Sequence, residues 1–439
     1  MSDEGGLQRQ FFEMLMDSQW WSAEQLRNYQ RSQLSQLLRH AKKNVPFYEH
    51  RLDAVVKPNG DIDWDRWNEI PIVKRSDMIK HRVAMHAKEL PPGHGPTASI
   101  ATSGSTGLPI TVTIGALAGL ANNAARWRAQ LWNGLDWSRN MATRLGDDTP
   151  PLVPPYATLK EPWGPPWASA RGLRWVLNVH LPTERVLAFI RDHDCAYLNT
   201  GAKTAHLYAY DAKRMGIEVA IDTILTQGSA ASAEDRAICR SAFGARLMEH
   251  YSAKEGGQMA HPCELGTFHI NSEICLVEIV DSEGRQTEHG KIGNIVVTPL
   301  FNTAQPLIRY EQGDLAVAGD ACACGRQTAT IQSIEGRSLA IFSHPDGRLF
   351  NAMLTDAART ALDCTVWQIA QVGALDFEVR YVPKSWDRHG DEAEFRRLFR
   401  ERYYDDAVVH LKRVAEVPLS PAGKFLEYKN EYASPPGAQ

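Results

Sequence analysis

The sequence is poor in cysteine, in long apolar runs and in any excess of one charge, and each shortage excludes something. Seven cysteines are scattered over 439 residues, an odd set whose one close pair is Cys322-Ala323-Cys324, so a disulfide framework is not expected. No apolar run approaches the ~18 residues that a membrane-spanning helix needs. The start, Met-Ser-Asp-Glu-Gly-Gly, has no basic segment leading into an apolar one. The expectation is a cytoplasmic protein without a membrane partner. Lys and Arg number 48 against 52 Asp and Glu, a formal charge of −4, which leaves no basic surplus for a nucleic-acid backbone. Internal repeats are absent. The one biased stretch is the proline-rich segment 150–167, where neither a regular helix nor a central strand can form and an extended loop is expected.

What is there is globular: 43% hydrophobic and 23% charged residues, in a chain longer than one core usually supports, predict two or more packed domains. Apolar stripes predict helices within 7–43, ending before Pro46, and a long helix over 117–132. Between them, residues 70–74 read as extended, and Ser76-Asp77 as the cap of a short helix. From 181 onward, helices over 183–193, 203–215 and 232–243 alternate with strands over 195–198 and 223–226, the pattern of βαβ units on a parallel sheet. Ligands gather beyond the carboxyl ends of such strands, which makes Asn199-Thr200-Gly201 and Gln227-Gly228-Ser229 candidate pocket walls. Residues 273–280 and 292–299 alternate as antiparallel strands of a small β-barrel or β-subdomain. Beyond 337, strands and helices of modest length predict a compact α+β unit. The fold class is therefore α/β, with a large N-terminal domain over 1–336 that combines parallel and mixed sheets with a β-subdomain, and a small α+β domain over 337–439.

One stretch carries chemistry on its face. In Ala101-Thr102-Ser103-Gly104-Ser105-Thr106-Gly107-Leu108-Pro109, hydroxyls and glycines are crowded together, and glycine's access to positive φ lets successive N–H groups form an anion-binding nest. Both flanks read as strands, so the loop is the tip of a hairpin rather than a Walker loop, which would run into a helix through Gly-Lys-Ser/Thr. The natural guest is a polyphosphate.

Four further stretches stand in order behind it: His250-Tyr251-Ser252-Ala253-Lys254-Glu255-Gly256, Leu307-Ile308-Arg309-Tyr310-Glu311-Gln312-Gly313-Asp314-Leu315, Ile334-Glu335-Gly336-Arg337 and Pro421-Ala422-Gly423-Lys424. Together they resemble the adenylate-forming superfamily of acyl-CoA synthetases, adenylation domains and luciferases. The nearest likeness is to its phenylacetate-CoA ligase branch, which shares the helical start and an element like Cys322-Ala323-Cys324-Gly325-Arg326. The likeness runs from about residue 30 to residue 430. It implies an AMP-forming ligase that adenylates a carboxylic acid, by branch an aryl or arylacetic acid, and transfers the acyl group to coenzyme A.

The resemblance also assigns residues. Ser103, Gly104, Ser105, Thr106 and Gly107 would hold the ATP phosphates, with Thr106 counted as catalytic. Tyr251 would stack on adenine, and Ser252, Gly228 and Ser229 would line the same nucleotide site. Glu255 would bind Mg²⁺, Asp314 would accept from the ribose hydroxyls, and Arg337 would stand at the edge of the site before the hinge. Lys424, on a mobile C-terminal domain, would reach the α-phosphate and the attacking carboxylate. Two departures stand out. Ser338-Leu339-Ala340 replaces the usual Ser-Asp-Asp-type hinge, and Lys254 stands where the family has Ser or Thr. They keep open an acceptor other than coenzyme A: an amine, a carrier-protein thiol, nitrite or another small nucleophile. The branch further implies a homodimer and, in some members, a structural zinc. Thiolates with imidazole in fourfold array select Zn²⁺, and the set chosen here is Cys263, His269, Cys322 and Cys324, with His261 as the spare.

Overall fold

A computed structural model describes residues 4–101, 110–144, 150, 153–179, 181–228, 230–288, 290–337, 341–345, 349–351, 354, 356–417 and 426–432. The chain opens with helices α1 (Glu4–Ser18) and α2 (Ala23–Asn44). Ser22 starts α2 with a reciprocal cap: its hydroxyl accepts from the Gln25 N–H at 3.2 Å while the Gln25 side chain accepts from the Ser22 N–H at 2.9 Å. Helix α3 (Arg75–Lys80) begins ahead of the Ser76-Asp77 cap expected from sequence. Asp77 lies inside the first turn and caps from there, its carboxylate accepting from the Lys74 N–H at 2.9 Å. Strands β1 (Thr97–Ala101) and β2 (Thr111–Gly115) pair antiparallel, as expected for the flanks of the Ser/Gly loop, and β2 runs into α4 (Ala116–Trp132).

The α/β region follows as β3 (Asn140–Thr143), β4 (Ala157–Lys160), β5 (Arg174–Leu177), α5 (Thr183–Asp192), β6 (Cys195–Thr200), α6 (Ala202–Met215), β7 (Thr223–Gln227), α7 (Ala233–Phe243) and β8 (Arg246–Ala253). Gly216 and Gly244 close α6 and α7 in the left-handed conformation, at the positions the sequence marked. Strand β4 lies within the proline-rich stretch, read from sequence as loop. It uses four residues of the proline-free run 156–161 and takes the outermost place in the sheet, where a partner is needed on one side only.

Strands β9 (Gly257–Pro262), β10 (Phe268–Ile270), β11 (Cys275–Val280), β12 (Ile292–Pro299), β13 (Tyr310–Ala318) and β14 (Thr330–Arg337) complete one twelve-stranded sheet in the order β11-β12-β13-β14-β10-β9-β8-β7-β6-β3-β5-β4. The two arms meet in β8, whose residues 246–250 pair parallel with β7 while 251–253 pair antiparallel with β9. The antiparallel arm is rolled. Four strand steps separate β8 from β13, about 19 Å in a flat sheet, yet a Tyr251 side chain on β8 touches Asp314 on β13. The expected β-subdomain is thus the curled arm of a continuous sheet.

Beyond lie β15 (Ile341–Ser343), β16 (Leu349–Asn351), α8 (Asp356–Leu362), β17 (Cys364–Gln371), β18 (Asp376–Pro383), α9 (Glu392–Arg402), β19 (Val408–Arg413) and β20 (Tyr428–Asn430). Here a four-stranded sheet, β19-β18-β17-β20, packs its own core around Phe342, Trp367, Phe377, Phe395 and Phe399. It leans on α6 and α7 through polar contacts: Arg359 with Glu234 at 3.7 Å, Lys203 with Glu427 at 3.7 Å, and the Tyr210 hydroxyl donating to the Lys384 carbonyl at 3.2 Å. No helix among the described residues is long and apolar enough to cross a membrane.

The start of the chain is tied to the large sheet by a buried ion pair. Arg128 on α4 and Glu273 are both fully buried, 2.6 Å apart, and Arg128 also donates to the Leu15 carbonyl (2.9 Å) and to Asn271 (3.0 Å). Ser18 donates to Glu273 at 2.7 Å, so α1, α4 and the segment before β11 share one polar knot. The Arg128 charge and these donors hold the Glu273 carboxyl below its usual range although burial alone would raise it.

Candidate active site

The pleat of β13 decides what faces the rolled interior. Tyr310, Gln312, Asp314 and Ala316 alternate onto its buried side. Asp314, 4% exposed, accepts a hydrogen bond of 2.8 Å from the Tyr251 hydroxyl. Arg337, the last residue of β14, is the cross-strand partner of Asp314 in the ladder. One pleat earlier, the Gln312 side-chain oxygen is buried with no hydrogen-bond partner among the described residues. It lies 3.2 Å from where a Cβ on Gly256 would stand, and that Cβ would also meet the Met259 sulfur at 2.7 Å, so a side chain there would force Met259 to shift. Gly257, at φ +70°, would drive a Cβ to 2.5 Å from the Asn122 oxygen. That oxygen instead accepts from the Gln258 N–H at 2.9 Å. The Glu255-Gly256-Gly257 turn is thereby pinned between α4 and β13.

A cleft opens beside this turn, lined among others by Ile114 of β2, Ala118 and Asn122 of α4, and Lys254 and Glu255. Glu255 is 9% exposed, with Arg75 at 3.9 Å. Strand β2 is held to the 302–305 segment: the Thr113 N–H donates to Gln305 at 2.8 Å and Asn302 donates to the Thr113 carbonyl at 2.9 Å. The hairpin bearing the Ser/Gly loop therefore rises from the wall that also carries Glu255. His250, next to Tyr251, is pushed down to about 3 by burial and by the charge of Arg126, so its imidazole is neutral.

Away from the cleft, the side-chain ligand atoms of Cys263, His269, Cys322 and Cys324 all lie within 4.8 Å of one another. Cys263 and Cys322 sulfurs are 3.7 Å apart, close to the ~3.8 Å edge of a tetrahedron with Zn–S bonds of about 2.3 Å. The Cys324 sulfur is 3.3 Å from His269 Nε2, and His269 Nδ1 is 3.0 Å from the Thr328 hydroxyl, which fixes the ring with Nε2 toward the thiols. This donor set fits a zinc ion. His261 pairs with His269 across the β9–β10 ladder, but its ring nitrogens are engaged by Gln258 (2.8 Å) and Asn271 (3.0 Å), so the cluster is the quartet without the spare.

No family model matches the sequence. A phenylacetate-coenzyme A ligase of Thermus thermophilus is 26% identical over 332 residues, covering 72% of this chain and 71% of that protein. The chain is similar in sequence to that ligase and has the fold of adenylate-forming ligases. Among solved structures, 2-hydroxyisobutyryl-CoA ligase in its postadenylation state matches with a TM-score of 0.71 at 17% identity, over 94% of this chain and 91% of that one. The same ligase in its thioester-forming state gives 0.60 at 19% identity over 94% and 93% of the two chains.

Of the family positions expected from sequence, the fold gathers Tyr251, Glu255 and Asp314, with Arg337 in register opposite Asp314. Ser252 pairs with Gln258 across the β8–β9 ladder, and Gly228, at φ +84°, follows the carboxyl end of β7. Ser103, Gly104, Ser105, Thr106, Gly107, Ser229 and Lys424 lie outside the described residues. Sequence reasoning missed Asn122, Arg126 and Gln312. The period-2 alternation through Tyr310, Gln312 and Asp314 was the signal for the last.

Proposed function

We propose that the protein uses ATP to activate an aryl or arylacetic acid as its acyl-adenylate and then passes the acyl group to coenzyme A. A carboxylate oxygen attacks the α-phosphorus, the bond to pyrophosphate breaks, and the mixed anhydride forms. The thiol of coenzyme A then displaces AMP. The first step brings an anion against a polyanion, so the protein's task is positioning and charge neutralisation. The observation that carries the reading is the Tyr251–Asp314 contact beside the Glu255 turn, made by residues from distant parts of the chain. The homology to phenylacetate-CoA ligase supports it.

In this reading Ser103–Gly107 cradle the β- and γ-phosphates, Tyr251 and Ser252 flank adenine, and Asp314 binds the ribose hydroxyls in exchange for its bond from Tyr251. Mg²⁺, held by Glu255, would offset phosphate charge. The large domain spans 1–336, and Arg337 stands at its boundary with the small one. The small domain, 337–439, brings Lys424 to the reacting atoms and then rotates to admit coenzyme A. Zinc in the Cys263–His269–Cys322–Cys324 quartet serves structure, clamping the β13–β14 loop to β9 and β10. The protein is further taken as a cytoplasmic homodimer, which light scattering tests.

ATP–pyrophosphate exchange across aryl and aliphatic acids tests the first half-reaction, and thioester formation with coenzyme A the second. Acid-dependent exchange followed by thioester is expected. Exchange without thioester would transfer the assignment to another nucleophile, and exchange independent of any acid would remove it.

A further inference from the structure

Helix α4 starts at the hairpin that carries the phosphate loop and runs away from it. Ala118 and Asn122, four residues apart on one face, line the cleft with Lys254 and Glu255. The next residue in that row is Arg126, about 6 Å further along the axis and further from the phosphate hairpin. Arg126 and His250 are both enclosed by protein yet keep accessible surface, as side chains do when they face an internal hollow. Burial and the neighbouring charge of Arg174 work against the Arg126 cation.

Of the four buried arginines among the described residues, three have carboxylates: Arg128 has Glu273 at 2.6 Å, Arg309 has Glu278 at 3.1 Å, and Arg326 has Glu264 at 2.7 Å; the fourth, Arg144, donates to the Val179 carbonyl and lies over the Tyr208 ring at 5.4 Å. Among the described residues Arg126 has neither an ion pair nor a hydrogen bond, and the charged or titratable neighbours that act on it or feel it are another arginine, Arg174, and two neutral histidines, His250 and His261. A desolvated guanidinium without a counter-ion is costly, and its planar fork matches a carboxylate bidentately. Among the described residues no anion answers Arg126, which stands about 6 Å along α4 from the cleft-lining Asn122, roughly the length of an aromatic ring or a short chain.

We propose that Arg126 recognises a second carboxylate on the acid, so that the substrate is an aryl or arylacetic dicarboxylate rather than a simple aromatic acid. This rests on the adenylation reading above. The test is ATP–pyrophosphate exchange with matched pairs, 4-carboxyphenylacetate against phenylacetate and adipate against hexanoate, on the wild type and on Arg126→Met. The wild type should favour the diacid of at least the aromatic pair by about 10- to 100-fold in kcat/KM, the range of a charge-assisted pair, mainly through KM. Arg126→Met should lower the diacid-to-monoacid ratio by a similar factor. A purely structural role would depress both members of a pair alike, and that result overturns the assignment. A wild type that prefers the monoacids overturns it while leaving adenylation standing, whereas no exchange with any acid removes both.

Discussion

Replacing Arg128 with Met should destabilise the large sheet by about 3–5 kcal/mol, because the fully buried Glu273 would keep its charge and lose its partner. The structure shows where the cost arises. The guanidinium donates twice to Glu273, at 2.6 and 3.2 Å, and once each to Asn271 and the Leu15 carbonyl, and Met can replace none of these. Ser18 and the Glu273 backbone N–H would still donate to the carboxylate, but neither carries a charge. Urea unfolding followed by tryptophan fluorescence is a suitable assay, since Trp132 lies beneath the Arg128 guanidinium at 4.9 Å. With a denaturant slope near 3 kcal/mol per molar, the midpoint should fall by about 1 M or more. The double change Arg128→Met with Glu273→Leu should recover much of the loss, because it removes the stranded charge together with its partner. A single variant that unfolds within experimental error of the wild type, or a double variant whose loss equals the sum of the two singles, would refute the argument.

Asp314→Asn should raise the KM for ATP by about 10-fold or more through loss of a charged acceptor, with far-UV circular dichroism unchanged; an unaltered KM would detach Asp314 from the nucleotide. Acid sensitivity should begin near pH 6.5, above the carboxylate range. His250, at about 3 when folded, and His261, held well below its ordinary value, are neutral in the fold but titrate near 6.5 when unfolded. Their contribution is complete above 6.5 and is lost as pH falls toward the folded values, and His250→Phe should flatten that limb of a stability-versus-pH curve. Protein purified without chelator should carry about one zinc per chain, and Cys324→Ser should lose both the metal and much of the thermal stability. Metal analysis finding almost none in the wild type would end the zinc assignment.

The α5–β6–α6–β7–α7 run was legible because each helix carries a clear apolar stripe and Gly216 and Gly244 end two of them. The Cys/His quartet was legible too, since Cys322-Ala323-Cys324 is an unusual local pattern and Cys263 and His269 follow closely on the Glu255 stretch. The sequence predicted helix α4 but not what its arginines meet: Arg128 is fully buried against Glu273, and Arg126 has no carboxylate partner among the described residues. Both depend on what a remote strand brings to the helix, which periodicity does not encode. The rolled arm was hidden for the same reason: alternation marks a strand's two faces but not how far a sheet curls, and only the Tyr251–Asp314 contact reveals it.

The seam where the α8–α9 layer rests against α6 and α7 is stitched by Arg359–Glu234 and Lys203–Glu427. Parting such a surface trades ion pairs for hydration and uncovers little oil, so its free-energy cost stays small whichever way the pieces turn. Added electrolyte should loosen it further, since the screening length contracts to about 3 Å at molar ionic strength. The protein's resting posture is therefore something its surroundings can tune, while the two aromatic and aliphatic cores on either side remain untouched.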